Sequence, residues 1–217
     1  MGSISNKPIP KDQRSVRAWL GAFFFVFAGL GLHSAQGGKP PVGRAPQVSD
    51  YFKPEALARV LKDREAVASA RLDQPDYHFS LAVLVRASRP QVWQTVTTYG
   101  LYEKLIPMIE KSEFDAKTKR LELAGGIFGF KLRSFLKFRE RTPQWLEYEV
   151  VEGHFVGMKG HLITQDAGEK GVIVALLGTH ASDQWPPKFV MEEGAKIVLN
   201  LTANKMRSYI EDLKRQK

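Results

Sequence analysis

Three histidines in the second half of the chain are of a residue type that could do chemistry. His154, His161 and His180 lie in or beside stretches with the residue pattern of β-strands, and imidazole is a common zinc ligand. His154 and His161 are seven residues apart, so on a regular strand their side chains point to opposite faces. The spacing argues against a shared site, and we predict neither a bound metal nor a cofactor. The chain has no cysteine, which excludes disulfides, thiolate catalysis and Cys-type zinc sites.

Three carboxylates on and beside a predicted strand are a second set of residues that could do chemistry. Glu147, Glu149 and Glu152 invite a general acid–base interpretation. Glu147 and Glu149 alternate with Leu146 and Tyr148, however, so they should point to water. We expect them to form ion pairs across the sheet with the basic face of the preceding strand.

A few hydroxyl groups remain as candidates for contacting a ligand. Ser134 is the one polar residue on the apolar face of its strand, where it could bond a ligand or the backbone of the core. Tyr99, Tyr102 and Tyr148 each combine an apolar ring with a polar tip, which suits the mouth of a cavity and also suits ordinary packing.

Other motifs argue against further classes of function. The stretch 125–130, Gly-Gly-Ile-Phe-Gly-Phe, lacks the Lys-Ser/Thr and the following helix of a phosphate loop, so we expect a glycine-rich hairpin whose Gly125 and Gly126 end a strand. No nucleophile elbow occurs. The basic face of Lys131, Arg133, Lys137 and Arg139, with Phe135, could touch nucleic acid, but the acidic neighbouring strand and the export signal described below argue against such a partner.

A long C-terminal helix and a run of strands must position these residues. Pro186 and Pro187 suit the first turn of a helix, and apolar residues then recur at helical spacing up to Leu213. The predicted strands are 78–87, 109–114, 120–124, 131–140, 145–152, 155–165 and 171–180, and the predicted helices are 50–71, 91–98, 101–108 and 185–215. Strands joined by short turns form an antiparallel sheet, and the helix should cover one face of it in an α+β architecture.

Two stretches resemble a known superfamily. The first runs from Val83 to Tyr99 and contains Ala87-Ser88-Arg89-Pro90-Gln91-Val92-Trp93, with Tyr102 and Pro107 following; the second is Trp185-Pro186-Pro187-Lys188-Phe189-Val190. Together with the order of elements, they resemble the START-related, Bet v 1-like helix-grip superfamily (SRPBCC), especially its polyketide cyclase/dehydrase and coenzyme-Q-binding branch.

The resemblance covers residues 77–213 and implies a curved antiparallel sheet wrapped around the C-terminal helix. It also implies a deep cavity for apolar ligands between the two. Many members of the superfamily have no enzymatic activity, and no universal catalytic residue can be carried over to this chain.

The N-terminal segment has the residue pattern of a targeting signal. A basic segment precedes the apolar run from Ala18 to Leu32, and His33-Ser34-Ala35 follows, as in a secretory signal peptide. We therefore predict a signal peptide or uncleaved anchor at 1–35, a Gly/Pro-rich linker at 36–49, and one domain at 50–217 that is exported to the periplasm or secreted. The formal net charge is +9, which favours anionic surfaces, including peripheral contact with an anionic membrane. The sequence does not fix the oligomeric state.

These observations lead to a hypothesis of an exported carrier for a lipid or isoprenoid-type molecule. The alternatives are a cyclase- or dehydratase-like enzyme on the same cavity, and an envelope interaction module that binds no small molecule. Catalysis is less favoured, because no convincing catalytic residue is present. The predicted ligand-binding residues are Tyr99, Tyr102, Leu132, Ser134, Leu136, Phe138, Leu146, Tyr148, Met158, Leu162, Met191, Val198 and Leu201.

Overall fold

The computed structural model describes residues 44–127 and 130–215. The predicted signal or anchor at 1–35 and most of the predicted linker lie outside the described residues. The strands are β1 (Val67–Asp73), β2 (Asp76–Val85), β3 (Ile109–Asp115), β4 (Arg120–Ile127), β5 (Phe130–Thr142), β6 (Trp145–Gly153), β7 (Lys159–Asp166) and β8 (Val172–Ala181). The helices are α1 (Pro54–Ala58), which continues as a π-helical turn (Arg59–Asp63), α2 (Arg89–Thr97), α3 (Tyr102–Leu105) and α4 (Ala195–Arg215), which follows a π-helical turn (Val190–Gly194).

The strands form one curved antiparallel sheet that does not close into a barrel. Its order is β1-β2-β8-β7-β6-β5-β4-β3, so most strands pair with a neighbour in sequence. The predicted helix-grip α+β architecture is therefore confirmed. Among the helices of the described residues, none is both long enough and apolar enough to cross a bilayer.

The sheet is buried on both faces along β2 and β8. Leu81, Val83 and Val85 of β2 point inward, into the core that also contains the buried residues of α4. Ala82 and Leu84 point outward, into a second core. This explains why β2 is apolar at successive positions and does not show a simple polar–apolar alternation.

An N-terminal helical segment covers the outer face and makes that second core. Val48, Phe52 and Val60 are buried there against the outward residues of β7 and β8. The backbone N–H of Val48 donates to Oε1 of Gln165 on β7 at 2.9 Å. Packing thus begins before the domain boundary predicted at residue 50.

The helix predicted at 50–71 was wrong over its last third. The helical segment ends at Asp63, and Val67–Asp73 is strand β1. β1 pairs with β2 through a hairpin, and its Ala70 and Leu72 alternate inward as buried residues. This pairing with β2 outweighs the helical spacing that Val67 shares with the residues before it.

The C-terminal helix lies on the inner face, as predicted. Its Ala203, Met206 and Ile210 are buried in the inner core together with Val92 and Val96 of α2. α4 packs against β1, β2, α2 and α3. In the preceding turn, Oε1 of Glu192 accepts a hydrogen bond from the backbone N–H of Leu72 at 2.9 Å, which covers part of the open edge of β1.

Gly125 and Gly126 do not end a strand, contrary to the prediction. They lie inside β4, where Gly125 pairs with Ile109. A Cβ at Gly125 would overlap with the carbonyl of Met108. The glycine is thus needed because the start of β3 passes close to β4.

The outward carboxylates form ion pairs, although with other partners than the residues directly opposite on β5. Glu147 pairs with Arg141 at 2.6 Å, and Glu149 pairs with Lys159 of β7 at 3.3 Å. In register, Glu147 faces Arg139. Arg141 is a diagonal neighbour of Glu147, within reach of a long side chain, whereas Lys159 lies directly opposite Glu149 on β7.

Candidate functional site

Side chains pack densely over one part of the inner face of the sheet and less densely over another part, on β5. Leu146 and Leu162 are buried in the inner core. Leu132 and Leu136 of β5 also lie on the inner face, yet both keep partial exposure. α4 packs on β1 and β2, at the other end of the strand order, and the side chains of Leu132 and Leu136 on β5 are left incompletely covered.

Tyr148 of β6 lies on the inner face of the sheet, between these two regions. Its ring lies over Gly160 of β7 and Gly178 of β8, where an added Cβ would overlap with it. Its hydroxyl donates to the carbonyl of Leu177 at 2.8 Å. Burial raises the pKa of Tyr148 well above its ordinary value, so this side chain is neutral and its proton is committed to the backbone.

Three aromatic side chains pack together on the inner face of the sheet near α3. The ring of Tyr99 stacks on Phe138 with centroids 4.3 Å apart and meets the edge of Tyr102 at 5.9 Å. The Tyr102 hydroxyl donates to the carbonyl of Val96 at 2.8 Å. Burial raises the pKa of Tyr102 as well. The structure therefore brings together Tyr99, Tyr102 and Phe138, three of the predicted site residues.

A second aromatic group lies where α4 begins, and sequence reasoning missed it. Trp185 contacts Tyr77 and His180 with ring centroids 5.4 and 5.2 Å apart. Phe155, from the turn between β6 and β7, meets His180 at 6.0 Å. The predicted site residue Met191 is buried in this group. The signal that could have revealed it is the alternation in β2, where Tyr77 shares a face with Leu81 and Val83.

Most of the polar side chains predicted to contact a ligand already form hydrogen bonds with the backbone. The Ser134 hydroxyl donates to the carbonyl of His154 at 2.6 Å, which corresponds to the structural alternative for this residue. Burial lowers the pKa of His180, which favours the neutral imidazole. Each hydroxyl oxygen can still accept a hydrogen bond from a ligand.

The remaining predicted site residues differ in how far they are buried. Val198 of α4 and Met158 before β7 are half-buried. Leu201 of α4 is 47 % exposed. Leu146 and Leu162 lie within the filled core, so their contribution to an open space is smaller than that of Leu132 or Leu136.

The three histidines lie in different environments. The Nδ1 atom of His154 meets the backbone of Arg133 at 3.0 Å, and that of His161 accepts a hydrogen bond from Trp145 Nε1 at 3.1 Å. In the described part of the chain, no three His, Cys, Asp or Glu side chains are grouped so that they could hold a metal ion.

Solved structures share this architecture at low sequence identity. A START superfamily protein from Mycobacterium smegmatis is 17 % identical, with a TM-score of 0.54 over 63 % of this chain and 98 % of the other. A conserved protein from Geobacillus kaustophilus is 12 % identical, with a TM-score of 0.54 over 62 % and 95 %. The di-domain ARO/CYC StfQ from the steffimycin biosynthetic pathway is 8 % identical, with a TM-score of 0.53 over 64 % and 52 %.

No protein-family model matches the sequence, and no curated protein matches it. The structural similarity extends to the fold: this chain has the START-related helix-grip fold that its sequence resembles.

Proposed function

We propose that this protein binds or carries an apolar small molecule, a lipid or isoprenoid-type compound, between β4–β6 and α4. One observation carries the proposal: Leu132 and Leu136 face the inner side of the sheet but remain partly exposed, whereas Leu146 and Leu162 on the same face are buried. Apolar side chains that face inward without being covered provide the surface that an apolar ligand would bury.

The gain from such burial supports reversible binding. A ligand that removes about 400 Å² of apolar surface from water gains about 10 kcal/mol. Association costs at least about 4 kcal/mol, so at most about 6 kcal/mol remains, which corresponds to a dissociation constant of tens of micromolar or weaker. A carrier needs this kind of affinity, because its ligand must also leave.

The polar groups around the space are suited to orienting a ligand more than to catalysis. The hydroxyls of Ser134, Tyr102 and Tyr148 all donate to backbone carbonyls. The raised pKa values of the two buried tyrosines oppose the formation of a tyrosinate base. A cyclase- or dehydratase-like activity is the second candidate, supported by the similarity of fold to an ARO/CYC protein.

Extraction of the purified full chain tests the binding proposal. Protein from its native host, extracted with organic solvent, should release one class of apolar molecule at less than one per chain, because an affinity of this size lets part of the ligand leave during purification. The Leu136→Trp variant places a large ring in the proposed space and should release much less. A wild-type protein that releases no apolar molecule would contradict the proposal.

We further propose that the protein is exported and approaches an anionic membrane. The N-terminal pattern at 1–35 and the net charge of +9 support this. Four apolar side chains are also strongly exposed. Phe189 (65 % exposed), Ile197 (55 %) and Leu201 (47 %) lie on α4 or just before it, and Val156 (55 %) lies in the turn between β6 and β7.

Site-specific fluorescence tests the membrane contact. The chain contains no cysteine, so Phe189→Cys and Lys137→Cys each give a single labelling site. An environment-sensitive fluorophore at position 189 should shift to the blue when the full chain is placed in vesicles with anionic lipid. The label at position 137, on the charged outer face, should not shift. Equal behaviour of the two labels would refute contact through this surface, and N-terminal sequencing that finds Met1 in a soluble cytosolic fraction would refute export.

A further inference from the structure

A polar cleft near the end of α4 shares no lining residue with the proposed apolar space. Its volume is about 310 Å³, and it is lined by Arg64, Arg86, Glu211 and Arg215. Arg64 follows the N-terminal helical segment, Arg86 follows β2, and the other two lie in the last turns of α4. Three separate parts of the chain thus converge on one basic cleft.

Glu211 joins these parts. Its Oε1 accepts a hydrogen bond from Arg64 Nη2 at 2.5 Å and another from the backbone N–H of Arg86 at 2.8 Å. Burial by itself would raise the pKa of Glu211, but the bond from Arg86 and the nearby guanidinium groups outweigh it and hold the pKa below its ordinary value. The carboxylate is therefore ionised at neutral pH and occupied by two donors.

Positive charge exceeds negative charge around the cleft. Three guanidinium groups line it together with one carboxylate. Beside the cleft, Asp212 pairs with Arg215 at 3.3 Å, and Arg207 stands next to Arg64, whose backbone carbonyl accepts a hydrogen bond from Arg207 Nη1. Burial, and then the charge of Arg64, lower the pKa of Arg207. The four guanidinium groups thus outnumber the two carboxylates of Glu211 and Asp212.

Hydrogen-bond donors in the cleft are left without partners. Within the described part of the chain, Nε of Arg64 is buried and has no acceptor. Arg64 itself is held in the left-handed region, with φ 56° and ψ 27°, which is rare for a residue other than glycine. The side chain of Arg86 is exposed, and its guanidinium makes no ion pair with any described residue. A buried donor without an acceptor is costly, and an anion would supply the missing acceptor.

We propose that this cleft binds a phosphate group carried by a small molecule. The planar guanidinium fork matches the oxygens of a phosphate and can bind them in pairs, and a phosphate monoester brings the negative charge that the cleft lacks. A volume of about 310 Å³ exceeds what a phosphate group alone would occupy, so the site accommodates an ester. Free phosphate esters and the phosphate of a lipid headgroup share this chemistry. The inference does not depend on the proposed apolar function.

Calorimetry on the full chain in a neutral detergent tests the proposal. The probes are glycerol 3-phosphate and dihexanoyl phosphatidic acid, titrated at constant ionic strength against a chloride reference. Binding of the first probe identifies a free ester as the source, and binding of the second probe alone identifies a lipid headgroup. Absence of binding by both probes at millimolar concentration would overturn the proposal.

Three variants separate a built site from general attraction of charge. Arg86→Gln, which keeps the backbone bond to Glu211, should weaken binding at least about tenfold. Arg139→Gln, an exposed arginine on β5 away from the cleft, is the matched control and should bind as the wild type does. Glu211→Gln retains an acceptor for both donors while removing the competing negative charge, so it should tighten binding. Equal weakening by Arg86→Gln and Arg139→Gln would overturn the proposal, and so would weaker binding by Glu211→Gln in a variant that remains folded.

Discussion

A methyl group added at Gly160 tests the floor of the site. In the Gly160→Ala variant, the new Cβ would overlap with the backbone carbonyl of Leu177 and with the end of the Tyr148 ring. The carbonyl belongs to β8, which is paired with β7 on both sides of this position, so it cannot move without disturbing the ladder. Tyr148 must therefore shift, and its buried hydroxyl loses the 2.8 Å bond to Leu177.

The expected cost follows from these two effects. Overpacking of a filled region costs about 1–3 kcal/mol, and a buried hydroxyl that loses its partner costs about 1–3 kcal/mol. We expect Gly160→Ala to lower the free energy of unfolding by about 2–5 kcal/mol in a urea titration followed by circular dichroism. Gly100→Ala is the matched control, because an added Cβ there meets nothing within 4 Å, and it should stay within about 0.5 kcal/mol of the wild type.

A double-mutant cycle assigns the cost to the tyrosine. In a Tyr148→Leu background the ring is gone, so adding the methyl group at position 160 should cost at least about 1 kcal/mol less than in the wild type. The clash with the Leu177 carbonyl remains, so the cost should not vanish. If Gly160→Ala matched Gly100→Ala, or if the cycle showed no coupling, Tyr148 would not lie across this glycine as described.

Two further predictions concern the outer face. Burial lowers the pKa of His161 below the unfolded value of 6.5, Glu147 acts in the opposite direction, and Arg141 lowers the pKa further. The stability from neutral His161 is thus present above pH 6.5 and is lost as the pH falls through the lower folded pKa. Protonation at Nδ1 would also break the bond from Trp145, so tryptophan fluorescence and the free energy of unfolding should both change as the pH falls below 6.5. A stability that does not change with pH below 6.5, or the same slope in His161→Asn, would contradict the assignment. Val60 is fully buried beneath the N-terminal segment, so Val60→Ala should cost about 1–3 kcal/mol in the same urea titration; a change below about 0.5 kcal/mol would mean that this segment contributes little to the fold.

The sequence predicted the helix-grip architecture because its main signals are local and periodic. β5 and β6 alternate cleanly, and α4 has a broad apolar stripe with prolines before it. β2 was recognised as a strand that is apolar at successive positions. The pattern could not say what covers its outer side, since the segment around Val60 reaches that surface only through tertiary contacts.

The errors arose where tertiary contacts outweigh local preference. Ala66, Ala68 and Ala70 favour a helix by intrinsic propensity, yet the pairing of Val67 with Ala82 places this stretch in the sheet. Gly125 was interpreted as a strand break because the close approach of Met108 leaves no trace in the local sequence.

The sequence predicted which face of its strand each candidate site residue occupies, but not which atoms its side chain contacts. Alternation placed Ser134 and Tyr148 on the inner face correctly. Their hydroxyls bond backbone carbonyls of His154 and Leu177, and no side-chain pattern reveals such partners. The arginine cleft was missed because Arg64 and Glu211 are 147 residues apart in the chain.

The most direct test of the apolar space is native mass spectrometry of the full chain released from a neutral detergent. The wild type is compared with Leu136→Trp, which fills the proposed space, and with Lys137→Trp, which changes the neighbouring exposed position on the outer face of β5. We expect an apolar adduct on the wild type and on Lys137→Trp, and a folded Leu136→Trp protein without the adduct. An adduct that persists on Leu136→Trp, or a Leu136→Trp protein that fails to fold because the space is already occupied by side chains, would contradict the account.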